Sequence, residues 1–316
     1  MTRDDVDWRG YWPACPTPFA EDGSYDAEAH RALLDWYVGE GMHGVFVNGT
    51  TGEWFSQSPE ERRLVAENAI DAVAGRLTVV IGCTSYTARE GAELGRHALA
   101  AGADGIGSTP PPYAKTYPDE TVRYYRDLAE TVDGPVMIYN WPHGTGVDID
   151  AVLAERLVEI GNVVAIKDST PSFEQFAETT RRIVDRVRVI GPFMSEAGLD
   201  LLLEVGGDGF IGGGSLWGRP DAEFWEAVWR GDLEPAREHA RRMDELFPKL
   251  WLPGGWGGHY GAYQSQLKVL MGLLGQPIGP TVRPPRLPVT DAESIGAMRG
   301  VLVEAGLLER PAEVRT

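Results

Sequence analysis

A lysine that closes a run of small and β-branched residues, Val163-Val-Ala-Ile-Lys167, is the first group in this sequence that could do chemistry. Lysine is scarce here: of the 29 cationic side chains only Lys115, Lys167, Lys249 and Lys268 are lysines. Read as a strand, the run places Lys167 on the face of Ala165 and Val163. If that face is buried, desolvation disfavours the ammonium and favours the neutral amine, a nucleophile toward carbonyl carbon. The alternative is a strand-end lysine neutralised by the neighbouring Asp168. A second run, Pro135-Val-Met-Ile-Tyr139, ends in a phenol at the equivalent place. Adjacent strands lie about 4.8 Å apart, so Tyr139 and Lys167 could meet over one small substrate. After a third run comes Gly49-Thr-Thr-Gly-Glu53. Its Thr50 and Thr51 can offer hydroxyls and backbone amides to a small carboxylate, or can form an ordinary turn that caps the following helix.

Other patterns carry less. Gly207-Asp-Gly-Phe-Ile-Gly212 has the G-x-G-x-x-G spacing, but its second half falls inside a strand and not in a strand-to-helix turn, which disfavours a dinucleotide site. Gly212-Gly-Gly-Ser215 suits a phosphate turn, close packing or open space for substrate. The six histidines show no HxH or HExxH spacing, which disfavours a metal site, and no serine sits in a G-x-S-x-G elbow, which removes the easiest hydrolase reading. Cys15 and Cys83, the only cysteines, read as small pocket or core residues and cannot build a disulfide framework.

Eight short apolar runs must position these groups, beginning at Gly10, Gly44, Thr78, Asp104, Pro135, Val163, Arg188 and Gly209. They alternate with helical periodicity over 26–40, 87–101, 119–132, 148–160, 172–185, 195–205 and 220–230, and with one further helix whose start is marked by Ser58-Pro-Glu-Glu61, a capping-box pattern. Near-continuous apolar strands between helices indicate a parallel sheet covered on both faces. Eight units without a linker fit an α/β fold, a single (β/α)8 TIM barrel over residues 1–230. Residues 231–316 read as a C-terminal helical appendage packed on the barrel, with helices over 233–247, 262–274 and 291–306. In such a barrel the active site lies at the C-terminal ends of the strands, where Lys167, Tyr139 and Thr50 all fall.

The whole-chain balance agrees with a small partner. A net charge of −18 argues against nucleic acid and anionic membrane surfaces, because a polyanion needs basic surface. No stretch approaches the ~18 apolar residues of a spanning helix, and the start of the chain is charged, so a cytoplasmic location is expected.

The residues resemble a known family, the pyruvate-dependent class I aldolases typified by dihydrodipicolinate synthase and N-acetylneuraminate lyase. The likeness runs from Gly10-Tyr-Trp-Pro-Ala-Cys-Pro-Thr-Pro-Phe19 to Arg286-Leu-Pro288 and is most specific in Gly49-Thr-Thr-Gly-Glu53, Tyr139-Asn-Trp-Pro142 and Ile166-Lys-Asp-Ser169. It implies a Schiff base between Lys167 and pyruvate or another 2-oxo acid, proton transfer by Tyr139, a carboxylate held by Thr50 and Thr51, and no metal or organic cofactor; Gly49, His143 and Gly212 are further substrate-binding candidates. Thr50 would also relay to Tyr139, and an aldehyde would be the second substrate. The resemblance further implies a homotetramer or dimer in which a tyrosine, here Tyr113, serves a neighbouring subunit's relay.

Two departures bear on the reaction. Where dihydrodipicolinate synthases place an arginine for the second substrate's carboxylate, this chain has His143-Gly144-Thr145, and the relay tyrosine aligns near Ala114. A true dihydrodipicolinate synthase is therefore not expected. Trp54, Phe55, Trp141, Trp217 and Trp256 fall in strand exits or loops, either as rim packing or as an aromatic mouth suited to a hydratase-aldolase with an aromatic aldehyde. The 253–261 loop, with His259 and Tyr260, is a further candidate wall. A dehydratase of a 2-oxo-3-deoxy sugar acid and a non-catalytic 2-oxo-acid-binding paralogue are the remaining alternatives.

Overall fold

The computed structural model describes residues 1–309. The eight apolar runs form β1 (Gly10–Ala14), β2 (Gly44–Val47), β3 (Thr78–Gly82), β4 (Gly105–Ser108), β5 (Val136–Asn140), β6 (Val163–Asp168), β7 (Arg188–Ile190) and β8 (Gly209–Gly213). All neighbours pair in parallel in sequence order and β8 returns to β1, so the sheet closes into a barrel. The first nine helices are α1 (Ala27–Gly39), α2 (Pro59–Val73), α3 (Ala88–Ala101), α4 (Pro118–Thr131), the short α5 (Pro142–Thr145), α6 (Ala151–Leu157), α7 (Phe173–Ile183), α8 (Glu196–Val205) and α9 (Arg219–Arg230). Three more follow: α10 (Leu233–Leu250), which packs on α8 and α9, then α11 (Tyr263–Leu273) and α12 (Ala292–Glu304). The end of the predicted appendage, 310–316, lies outside the described residues. Among those described, no helix is long and apolar enough to cross a membrane.

Two apolar clusters hold this arrangement. The larger lies between strands and helices; the smaller fills the barrel with Trp8, Trp12, Phe46, Val80, Met137, Ala165, Ile190 and Ile211 among others. Large rings inside a narrow barrel need room, and β4 provides it. A Cβ on Gly105 would stand 2.5 Å from the Trp8 ring and one on Gly107 2.6 Å from the Phe46 ring.

One local detail corrects the face assignment of β6. Val136 pairs with Val163 but Met137 with Ala165, so β6 carries an extra residue at Val164. Such a bulge breaks the alternation of side chains. Val163 therefore joins the outer cluster, whereas Val164 and Ala165 face the barrel interior. The capping box of α2 is also only half formed. The Ser58 hydroxyl accepts from the Glu61 N–H at 3.2 Å, but the Glu61 carboxylate turns to Arg283.

Candidate active site

Tyr139 and Lys167 are direct partners in the β5–β6 register. The Lys167 Nζ sits 3.6 Å from the Tyr139 ring centroid and donates to Ser169 Oγ at 2.9 Å. Both side chains are buried. The ring is held from two sides, edge-on by Phe46 with centroids 6.2 Å apart and stacked on Trp141 at 6.4 Å.

The ion pair offered as an alternative for Lys167 does not form. Asp168 points the other way, its Oδ1 accepting from Asn140 Nδ2 and the Thr170 N–H, both at 2.9 Å. Its Oδ2 is buried without a hydrogen-bond partner among the described residues. Burial pushes this carboxyl up to about 6, against the hydrogen bonds from Thr170 and Asn140 that favour the charge.

Thr50 and Thr51 line the cavity in front of Lys167, which has a volume of about 310 Å3. They do not cap a helix, because Ser58 caps α2 and Glu53, in a left-handed conformation, precedes the intervening 3-10 turn. Glu53 itself turns inward, accepting from the fully buried Lys268 at 2.7 Å through Oε1 and from the Arg283 N–H at 3.1 Å through Oε2. That pair fastens the threonine loop to α11.

The other expected residues divide. Gly212 is on the cavity wall. Gly49 is not among the wall residues; its Cα faces Phe46, and a Cβ there would stand 2.7 Å from that ring. His143 borders a second, outer chamber of about 350 Å3 together with Trp54, Phe55, Trp141 and Trp256. Tyr113 is 96% exposed with φ 71° and does not reach the site within its own chain. Trp217 is buried away from the mouth, its ring 4.2 Å from the Arg242 guanidinium and 5.5 Å from His239. From the 253–261 loop, Gly254, Gly255 and Trp256 reach the cavity. His259 instead bonds the Pro248 carbonyl, and the Tyr260 N–H donates to Gln266. Cys15 and Cys83 are fully buried, and burial raises both thiols, Cys83 to about 12.

Sequence reasoning missed two residues of α11. The Tyr263 phenol lies over β8, so close that a Cβ on Gly213 would stand 1.7 Å from its oxygen, and it neighbours Thr51 and Tyr139. Gln264 donates to the Thr50 carbonyl at 3.0 Å. Nothing in the α11 periodicity marks these positions, since the helix is buried on nearly every side of its first two turns.

A buried lysine without a carboxylate partner among the described residues, beside a phenol at the C-terminal mouth of a closed (β/α)8 barrel, defines a barrel enzyme. Residues 7–300 match the Dihydrodipicolinate synthetase family, and the chain belongs to that family, whose members are lyases. It is 35% identical over 301 residues to an uncharacterized DapA-like lyase of Rhizobium meliloti, covering 93% of this chain and 95% of that protein. Over 289 residues it is 31% identical to a putative 2-dehydro-3-deoxy-D-gluconate aldolase, YagE, of Escherichia coli K12, with 89% and 92% covered. The crystal structure of YagE in complex with pyruvate superposes with a TM-score of 0.85 at 29% identity, over 96% of this chain and all of that one.

Proposed function

We propose that the protein is a Schiff-base-forming lyase that uses pyruvate or another 2-oxo acid and forms or cleaves a C–C bond with an aldehyde. The observation that carries this is the Lys167 amine, buried, free of any carboxylate partner among the described residues and set against the face of Tyr139. In this reading the amine attacks the ketone carbon, giving a carbinolamine, and loss of water gives the iminium. The iminium withdraws electrons, so the adjacent carbon loses a proton to form an enamine that adds to the aldehyde; cleavage runs the same steps backward. Tyr139 moves the protons, and Thr50 and Thr51 hold the carboxylate of the 2-oxo acid. Tyr113, exposed on its loop, would serve the site of a neighbouring copy in a dimer or tetramer.

Reduction with borohydride in the presence of pyruvate is expected to attach a three-carbon unit to Lys167, read by mass spectrometry of the peptide. Labelling that survives Lys167→Ala, or none with any 2-oxo acid, refutes the proposal. In the same assay Tyr113→Phe is expected to slow labelling of the assembled protein.

A second reading has an observation of its own. The aromatic walls of the outer chamber favour a hydratase-aldolase working on an aromatic aldehyde over a sugar-acid dehydratase. Product analysis separates them, because only the aldolases release a free aldehyde.

A further inference from the structure

The inner cavity and the outer chamber adjoin, sharing Thr50, Trp141, Trp256 and Arg286 in their walls. Arg286 is the one cationic side chain, fixed in charge, that borders both. Its guanidinium carbon lies 5.4 Å from the Phe55 ring centroid, and its Nε is buried with no hydrogen-bond partner among the described residues. The contrast with Arg283, three residues earlier, is direct. Arg283 is engaged by the Glu61 carboxylate and the Gly23 carbonyl, whereas Arg286 has no carboxylate within ion-pair distance among the described residues. A buried donor left unmade is costly, and it is relieved by an anion from outside.

Position 144, in the segment after β5, leaves no room for a cationic side chain. The Trp141 ring packs against Gly144, and a Cβ there would stand 1.9 Å from it. Any side chain at that position collides with the indole. The ring that blocks the loop also forms the apolar wall facing the guanidinium.

We propose that the outer chamber binds the aldehyde partner, that this partner is a planar, apolar molecule bearing a carboxylate, and that Arg286 takes the carboxylate. Stacking on Trp141 or Trp256 would orient the body while the guanidinium fixes one end, leaving the aldehyde directed at Lys167. In a chain of net charge −18 such a local cation also selects which small anions stay. The inference deepens the 2-oxo-acid reading above, on which it rests for the word aldehyde, but the subsite itself is testable without turnover.

The test titrates the purified protein with 4-(hydroxymethyl)benzoate and with its neutral counterpart 4-(hydroxymethyl)benzamide, followed by tryptophan fluorescence and calorimetry. The benzoate is expected to bind about tenfold or more tightly than the amide. Arg286→Ala should erase that preference and Arg286→Lys keep part of it, with binding of the neutral amide retained in both. No preference in the wild type, or a preference that survives Arg286→Ala, overturns the subsite. Loss of pyruvate trapping in the wild type would instead overturn the lyase reading and leave the binding result standing by itself.

Discussion

Lys167 and Lys268 are both buried lysines, and what separates them is the company each keeps. Lys268 gives its three protons to the Thr17 and Thr281 carbonyls and to Glu53, so its charge is matched inside the protein. Lys167 has one hydroxyl, Ser169, and an aromatic face. Scarcity of lysine pointed to Lys167, but burial alone would have pointed to either; the amine without a carboxylate partner among the described residues is the one the proposed chemistry uses. Asp168 shows the complementary case of a charge held at a cost. Its carboxyl is raised by burial from an ordinary 3.8 to about 6, so between about pH 4 and pH 6 the folded protein holds a proton that the unfolded chain has released. Stability from this group is therefore lost as pH rises through that window, and the cost is complete above about 6. Asp168→Asn keeps an acceptor for Asn140 and Thr170 and removes the charge. It is expected to raise the thermal midpoint over the wild type at pH 8 by a few degrees and to leave it unchanged at pH 4. An equal effect at both pH values would show that the carboxyl is not titrating as described.

At the scale of elements, the strand exits behave as barrel geometry requires, and the departures come from crowding. The bulge at Val164 moves Ala165 and Lys167 to the interior while Val163 stays outside, so strict alternation misassigned one residue and still placed the amine correctly. The segment after β5 winds into the short α5, where Pro142 fits a first helical turn and the Thr145 hydroxyl donates back to the Trp141 carbonyl. Within it, Gly144 is required by the Trp141 ring. Gly144→Ala is expected to cost about 1–3 kcal/mol in chemical denaturation, as for overpacking of a filled site, and to disturb the stacking of Trp141 on Tyr139. A variant as stable as the wild type, with an unchanged near-ultraviolet spectrum, would mean that the indole moves aside freely.

For the whole molecule, the segment after α9 is more than an outer layer. It reaches back over the barrel mouth to contribute Tyr263, Gln264, Trp256 and Arg286, and it is pinned there by the Glu53–Lys268 pair, in which neither side chain is accessible. Removing one member leaves a buried charge unmatched. Glu53→Gln is accordingly expected to cost about 3–5 kcal/mol, and the double change Glu53→Gln with Lys268→Met clearly less, measured by denaturant unfolding. If the double variant were as unstable as the sum of the two single ones, the pair would not be acting as a unit.

The sequence by itself determined the barrel, since eight apolar runs alternating with helical periodicity leave a covered parallel sheet as the simple solution, and it determined Lys167, Tyr139, Thr50 and Thr51 as strand-exit residues. These are local signals, readable within a few residues. Only the tertiary structure decided which neighbours meet: that Asp168 turns to Asn140, that Glu53 is matched by a lysine more than two hundred residues away, and that Tyr263 and Arg286 enter the same cavity. Trp217 went the other way, sinking beneath α10 when its position after β8 had suggested the mouth. The reason is physical: strand period and turn chemistry are properties of short segments, whereas burial, matched charge and cavity walls depend on where distant segments close against one another.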